Sequence, residues 1–154
     1  MVTVRILGAT EHALLEDVAP DVFDAAPSRA LSKEFLGDPR HHLAVAIAEN
    51  GSVVGMASGV HYVHPDKPPQ MFINEVGVAP AYEGQGLGRR LLAVLLERAS
   101  ELGCTEAWTA TEPDNARAQA LYAKAGGLKV PTPFVMFTFP VTPLRRSDDA
   151  RFKT

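Results

Sequence analysis

The chain is poor in cysteine: Cys104 is the only one in 154 residues. A lone cysteine cannot close an internal disulfide. Its place between a helical and a strand-like pattern reads as a small core residue rather than a catalytic thiol. Long apolar runs are missing too, and none approaches the roughly 18 residues a spanning helix needs, so no membrane partner is expected. The first residues, Met1 to Arg5, form neither an apolar signal stretch nor a basic amphipathic one, which reads as a cytoplasmic protein. A basic excess is also lacking. Lys and Arg number 15 against 18 Asp and Glu, a net charge of −3. A nucleic-acid partner, whose phosphates demand neutralisation, is therefore not expected, and a cationic partner is easier to accommodate.

What is present is ordinary for a folded domain: 46% hydrophobic, 21% charged and 7% aromatic residues. Disorder, collagen and coiled coil are excluded by that balance. At this length one domain buries about two thirds of its unfolded surface without staples. We expect a single domain over 1–143, followed by a charged tail over 144–154.

Hydrophobic spacing sets the order of elements. Val2, Val4 and Ile6 alternate as a strand, and a short helix follows from Thr10 through Leu14 and Leu15. Ser28 caps a second helix carrying Leu31, Phe35 and Leu36, stopped by Gly37 and Pro39. Leu43 to Ala48 and Val53 to Val63 form a hairpin around Glu49-Asn50-Gly51-Ser52. A stiff loop, His64 to Pro69, leads into a strand from Met71 to Ala79. Gly86 to Leu102 carries a leucine stripe and ends at Gly103. A strand from Thr105 to Ala110, a helix from Asp114 or Asn115 to about Ala125, and a last strand from Phe134 to Phe139 complete the chain. Early hairpins followed by strand-helix alternation predict an α/β (α+β) mixed sheet, mostly antiparallel and twisted, with helices on both faces.

Chemistry concentrates in Gly84-Gln85-Gly86-Leu87-Gly88-Arg89-Arg90, where glycines open the long helix just after a strand. Glycine admits close backbone approach, and the first N–H groups of a helix lack internal partners, so the segment suits a phosphate or diphosphate. A P-loop is excluded, because no Lys-Ser or Lys-Thr follows. A dinucleotide fingerprint fits poorly: the spacing is GxGxG, and Ala79 to Glu83 intervene after the strand. Glycines that merely pack a turn remain the plain alternative.

The run from Val76 through Gly84, Gly86 and Gly88 to Leu92 resembles the GCN5-related N-acetyltransferases, the GNAT family. A second block, Asn115-Ala116-Arg117-Ala118-Gln119-Ala120-Leu121-Tyr122-Ala123-Lys124-Ala125-Gly126, is similar to that family's later helix. The resemblance covers Glu75 to about Phe139, and more loosely the whole chain. It implies the GNAT fold, acetyl-CoA (acetyl-coenzyme A) as cosubstrate and no metal. It also implies that Val76, Gly77, Val78, Gly84, Gln85, Gly86, Leu87, Gly88, Arg89 and Asn115 contact the cofactor. Glu83 stands where the family usually has Arg or Gln, leaving Arg89 or Arg90 to compensate, and Gly127 replaces a usual aromatic.

Two further positions are candidate catalytic residues. Glu75 is placed by simple alternation on one strand face with Met71, Ile73 and Gly77, where burial would raise its pKa toward a range useful for a base. A solvent-facing Glu at a strand end is the alternative. Asn115, Ala118 and Tyr122 share a helix face. Asn115 also suits a plain N-cap, and Tyr122 a half-buried core aromatic. By the resemblance, Glu75 takes a proton from an incoming ammonium, directly or through water. An amide near Val76 to Val78 then receives the negative charge on the thioester oxygen, and Tyr122 protonates the departing thiolate.

No metal is expected at His61, His64 and Asp66, because an i, i+3 pair on a strand points to different faces and no fourth ligand follows. His41 and His42 read as surface-loop residues. The proline loop followed by Phe72-Ile73-Asn74-Glu75-Val76 is similar to the aminoglycoside 3-N-acetyltransferase branch. The acceptor is then a small-molecule amine or an amine-bearing partner. A protein that binds an acyl-coenzyme A without turnover is the competing reading, and the last strand offers an edge for a homodimer.

Overall fold

A computed structural model describes residues 1–143, and the tail expected from Leu144 to Thr154 lies outside the described residues. The strands are β1 (Thr3–Ile6), β2 (His41–Ile47), β3 (Val53–Tyr62), β4 (Gln70–Val78) and β5 (Glu106–Trp108). The helices are α1 (Arg29–Gly37), α2 (Leu87–Glu101) and α3 (Ala116–Lys124), with 3₁₀ turns at His12–Glu16 and Pro80–Tyr82. The five strands form one sheet in chain order. Neighbours from β1 to β4 are antiparallel and β5 joins β4 in parallel, so the mixed sheet expected from the sequence is present.

The leucine stripe of α2 folds as its spacing demands. Leu87, Leu91, Leu92, Leu95 and Ala99 are buried against the sheet, each leucine contributing about 1.5–3 kcal/mol on burial. Two glycines of β3 let α2 sit close. A Cβ on Gly55 would meet Leu91 Cδ1 at 3.2 Å, and one on Gly59 would meet Leu95 Cδ2 at 3.3 Å. The opposite face is covered by α1 and the segment before it. Phe35 of α1 stacks on His41 of β2 at 4.9 Å. The Val22 carbonyl lies where a Cβ on Gly77 would fall.

The expected first helix is a 3₁₀ turn, and the expected last strand is not formed. Phe134 to Phe139 finds no strand partner among the described residues, and Phe134 and Phe137 are 72% and 79% exposed. Apolar alternation supplies a propensity for strand, whereas a strand is stabilised by its ladder partner. β5 offers only 3 residues of edge.

A second departure re-aims Glu75. Ser58 pairs with Glu75 while Gly59 pairs with Ile73, so Asn74 is an extra residue in β4. This bulge reverses the alternation. Met71 and Ile73, 0% and 5% exposed, lie on the α2 face together with Val76 and Val78. Glu75 and Gly77 turn to the other face, toward Val22. The expectation that Glu75 shares a face with Met71 and Ile73 is thereby corrected. Sequence spacing of two no longer means one face once a residue is inserted.

Candidate active site

The loop before α2 presents unpaired main-chain donors on an open side. Gly84 and Gly86 take left-handed backbone, φ 73° and 75°, which only glycine adopts cheaply. Nothing lies within 4 Å of a Cβ built at either one, so this side of the loop is open. Among the described residues, the main-chain N–H groups from Gly84 through Arg89 donate to no acceptor. The first to do so is Arg90, to the Gly86 carbonyl at 3.1 Å. Gln85 and Leu87 belong to this row of free amides, and Leu87 buries its side chain in the core. Gly88 serves packing as well: a Cβ there would meet Leu121 Cδ1 of α3 at 3.1 Å. The two arginines divide. Arg90 donates to the Val2 carbonyl at 2.9 Å. Arg89 is exposed and makes no ion pair among the described residues.

A gap opens beside β4. The Ala79 N–H donates to the Val54 carbonyl of β3 at 2.9 Å. Alternation back along the strand turns the Gly77 N–H to β3 as well, and the Val76 and Val78 N–H groups away from it. On that side β5 has already ended, its ladder stopping at the pair Phe72 and Trp108. Thr109 Oγ1 donates to the Ile73 carbonyl at 2.9 Å and closes the seam there. Val76 and Val78 therefore present amides with no acceptor among the described residues. Of the Val76 to Val78 stretch singled out from the sequence, Gly77 alone aims its N–H into the sheet.

Glu75 stands next to this gap, on the face opposite α2. It is half-buried and makes no hydrogen bond or ion pair among the described residues. Burial raises its pKa above the ordinary carboxylate value, and the negative charge of Asp24 raises it further. Asp24 belongs to the segment that Asp21 turns inward with a left-handed backbone, φ 62°. That segment lines a hollow of about 260 Å³ with Leu15, Phe23, Asp24 and Pro27 among its walls. Asp24 carried no periodic or motif signal in the sequence.

α3 closes the second side. The Asn115 side chain caps it by accepting from the Ala118 N–H at 3.0 Å, so its oxygen is engaged in the helix. Tyr122 is half-buried against the core, and its hydroxyl has no hydrogen-bond partner among the described residues. The helix ends in a Schellman motif. The Gly127 N–H donates to the Tyr122 carbonyl at 2.9 Å and the Gly126 N–H to that of Ala123 at 3.0 Å. A Cβ on Gly127 would crowd the Tyr122 oxygen at 2.9 Å, which explains glycine at that position. Glu83 pairs with Arg117 on the first turn of α3. Arg117 was missed from the sequence, although an acid in the loop and a base in the second block are a complementary pair of departures.

The histidines and the cysteine lie elsewhere. His41 and His42 open β2 rather than a loop, and His42 is 4% exposed, with Nε2 at 2.8 Å from His61 Nδ1. The expected surface placement fails because α1 ends at Gly37 and the turn at Asp38 returns the chain to the sheet at once. Cys104 is half-buried, and burial pushes its thiol up, away from the reactive thiolate.

Comparison with known proteins follows the same residues. The chain matches the family model described as Acetyltransferase (GNAT) family over residues 10–127. It is 35% identical over 107 residues to the N-alpha-acetyltransferase RimI of Mycobacterium tuberculosis, covering 70% of this chain and 64% of the relative. It is 44% identical over 55 residues to the L-2,4-diaminobutyric acid acetyltransferase of Virgibacillus pantothenticus, covering 36% of this chain and 33% of the relative. The chain thus spans between a third and about two thirds of the length of these curated relatives. Among solved structures, AAC(6')-Iy in complex with a bisubstrate analog superposes with a TM-score of 0.74 at 21% identity, over 92% of this chain and 99% of the other. An aminoglycoside acetyltransferase from an uncultured soil metagenomic sample, in complex with sisomicin, gives 0.73 at 17%, over 92% and 97%. At those identities the structures speak for the fold. Among the described residues, no helix is long and apolar enough to cross a membrane.

Proposed function

The chain belongs to the GNAT acetyltransferase family, and on that premise we propose that it moves the acetyl group of acetyl-CoA to a primary amine by direct attack. The bulge at Asn74 carries this reading: one inserted residue puts the Glu75 carboxylate on the open face beside the free amides of Val76 and Val78. The acceptor is a cationic small-molecule amine, as the net charge of −3 and the Glu75 and Asp24 carboxylates favour. Diaminobutyrate and aminoglycosides are the acceptors named for similar proteins. The setting we assign is the cytoplasm.

The residues fit the cosubstrate. Free amides from Gly84 through Arg89 at the positive end of α2 suit a diphosphate, and the open side of Gly84 and Gly86 gives it room. Acetyl-CoA supplies the activated acetyl thioester when bound. An amine reaches the site as an ammonium, with a pKa near 10, and must lose a proton to become nucleophilic. The Glu75 carboxylate accepts that proton, directly or through a water, and its raised pKa narrows the gap between base and acid. The Val76 N–H, aimed into the gap, donates to the thioester oxygen as charge grows there. The Tyr122 hydroxyl donates a proton to the sulfur that leaves, and the Asn115 amide NH₂, free of the cap, steadies the pantetheine arm.

Thiol release from acetyl-CoA, measured across a panel of amines, tests this reading. We expect release with at least one cationic amine, lost by two orders of magnitude or more in Glu75→Gln with acetyl-CoA affinity kept. Acetyl-CoA that binds, in a folded protein that releases no thiol with any amine, would refute it.

A further inference from the structure

The face of the sheet that carries Glu75 also carries aromatic rings. Because the bulge reverses alternation at Asn74, Gln70 and Phe72 share this face with Glu75. Their cross-strand partners share it too: Tyr62 opposite Gln70 on β3, and Glu106 and Trp108 opposite Gln70 and Phe72 on β5. Phe72 and Trp108 lie with centroids 4.5 Å apart. The Trp108 indole N–H donates to the Tyr62 hydroxyl at 2.7 Å, and that hydroxyl donates to Gln70 Oε1 at 3.0 Å. A tryptophan held in this way is placed for a purpose other than burial, since Trp108 remains 43% exposed.

We propose that Phe72 and Trp108, braced by Tyr62, form the recognition shelf for the acceptor, and that this acceptor is an alkyl diamine. The proposal rests on the acetyl-transfer reading and narrows its substrate. One ammonium meets Glu75, the methylene spacer lies on the Phe72 ring, and the second ammonium meets the Trp108 ring face, within the field of Glu106. Three features select this chemistry. Carboxylates stand at both ends, Glu75 with Asp24 at one and exposed Glu106 at the other. Ring faces between them attract a cation and cover methylenes. The polar groups beside the rings, the Tyr62 hydroxyl, the Trp108 N–H and Gln70 Oε1, are spent on one another, which leaves few donors or acceptors for the hydroxyls of a sugar. From Glu75 back to Phe72, the partner of Trp108, the strand runs about 10 Å at most, comparable with the separation of the ammonium groups in hexane-1,6-diamine; Glu106, opposite Gln70 and two residues further along, acts on the second ammonium through its charge rather than by contact.

Trp108 is the only tryptophan in the chain, so its fluorescence reports on the shelf without turnover. Titration of the full chain with hexane-1,6-diamine should give a saturable change, at least tenfold weaker for n-hexylamine, and weakened by Phe72→Ala and by Glu106→Gln. No saturable change, or equal affinity for the monoamine, overturns the proposal, as does a response to neamine in place of the diamine. In the thiol-release assay Trp108→Ala should raise the KM for the diamine about tenfold, with kcat and the KM for acetyl-CoA unmoved, and Trp108→Phe should recover most of the loss. A fall in kcat or a shift in the acetyl-CoA KM overturns it. Saturable fluorescence without thiol release leaves the shelf standing and removes acetyl transfer. Thiol release on the diamine without a fluorescence response does the reverse.

Discussion

Glu83 of the loop before α2 is tied to Arg117 of α3, with a carboxylate oxygen 2.5 Å from the guanidinium. The pair joins the two elements that flank the proposed acetyl-CoA site. In the proposed function it also neutralises an acid that would otherwise repel a diphosphate at the free amides of Gly84 through Arg89.

Breaking the pair from its two ends should therefore have opposite effects on acetyl-CoA. Arg117→Ala leaves the Glu83 charge facing the phosphates and should weaken acetyl-CoA binding about three- to tenfold, more at low salt. Glu83→Gln removes that charge and should tighten binding by a few fold. Stability should barely move in either variant, because an exposed pair contributes roughly 0–1 kcal/mol. Isothermal titration at two ionic strengths separates these outcomes, and equal weakening in both variants would mean that the pair acts by holding the cleft together.

The raised pKa of Glu75 predicts the acid limb of the activity profile. The base must be ionised to accept a proton, so kcat/KM should rise with pH through a midpoint above the ordinary carboxylate range. Asp24 contributes to that shift by its charge, so Asp24→Asn should move the midpoint down while leaving the plateau rate within a few fold. A midpoint that stays fixed in Asp24→Asn would show that burial alone sets it.

Much of this was legible in the sequence, and the exceptions have physical causes. Leu87, Leu91, Leu95 and Ala99 recur at helical spacing along the 15 residues of α2, so a periodic signal had room to accumulate. Ser28 and Asn115 cap α1 and α3 where their short polar side chains predicted. Asn74 escaped, because a bulge is a property of a pair of strands, and β4 alone carries no mark of the residue that β3 fails to match. Arg117 and Asp24 escaped for a related reason: their partners, Glu83 and Glu75, are distant in sequence and meet only through the fold.

Gly77 offers a test of how the acceptor face is held. A Cβ there would land on the Val22 carbonyl oxygen, and backbone cannot yield as a flexible side chain can. Gly77→Ala should cost about 1–3 kcal/mol and lower Tm by roughly 2–10 °C. The displaced segment carries Asp24, so the KM for the amine should rise while that for acetyl-CoA holds. A rise in the acetyl-CoA KM alone would instead assign Gly77 to the cofactor side, as the sequence resemblance implied.

The contact between His42 and His61 predicts how the protein responds to acid. With ring nitrogens 2.8 Å apart, one ring must donate and the other accept. A second proton on His42 charges a ring that is 4% exposed and lies against a second histidine. Burial first, then the positive charge of His61, Arg98 and His41, lowers the His42 pKa to about 4. An unfolded histidine titrates near 6.5. Between those values the unfolded chain holds a proton the folded one refuses, so stability is complete above pH 6.5 and is lost as pH falls toward 4. The full loss is about 3 kcal/mol at 1.36 kcal/mol per unit. Urea unfolding at pH 7, 6, 5 and 4.5 should show this decline, and His42→Gln should flatten it while lowering stability at pH 7. A slope unchanged in His42→Gln would place the acid sensitivity in other groups.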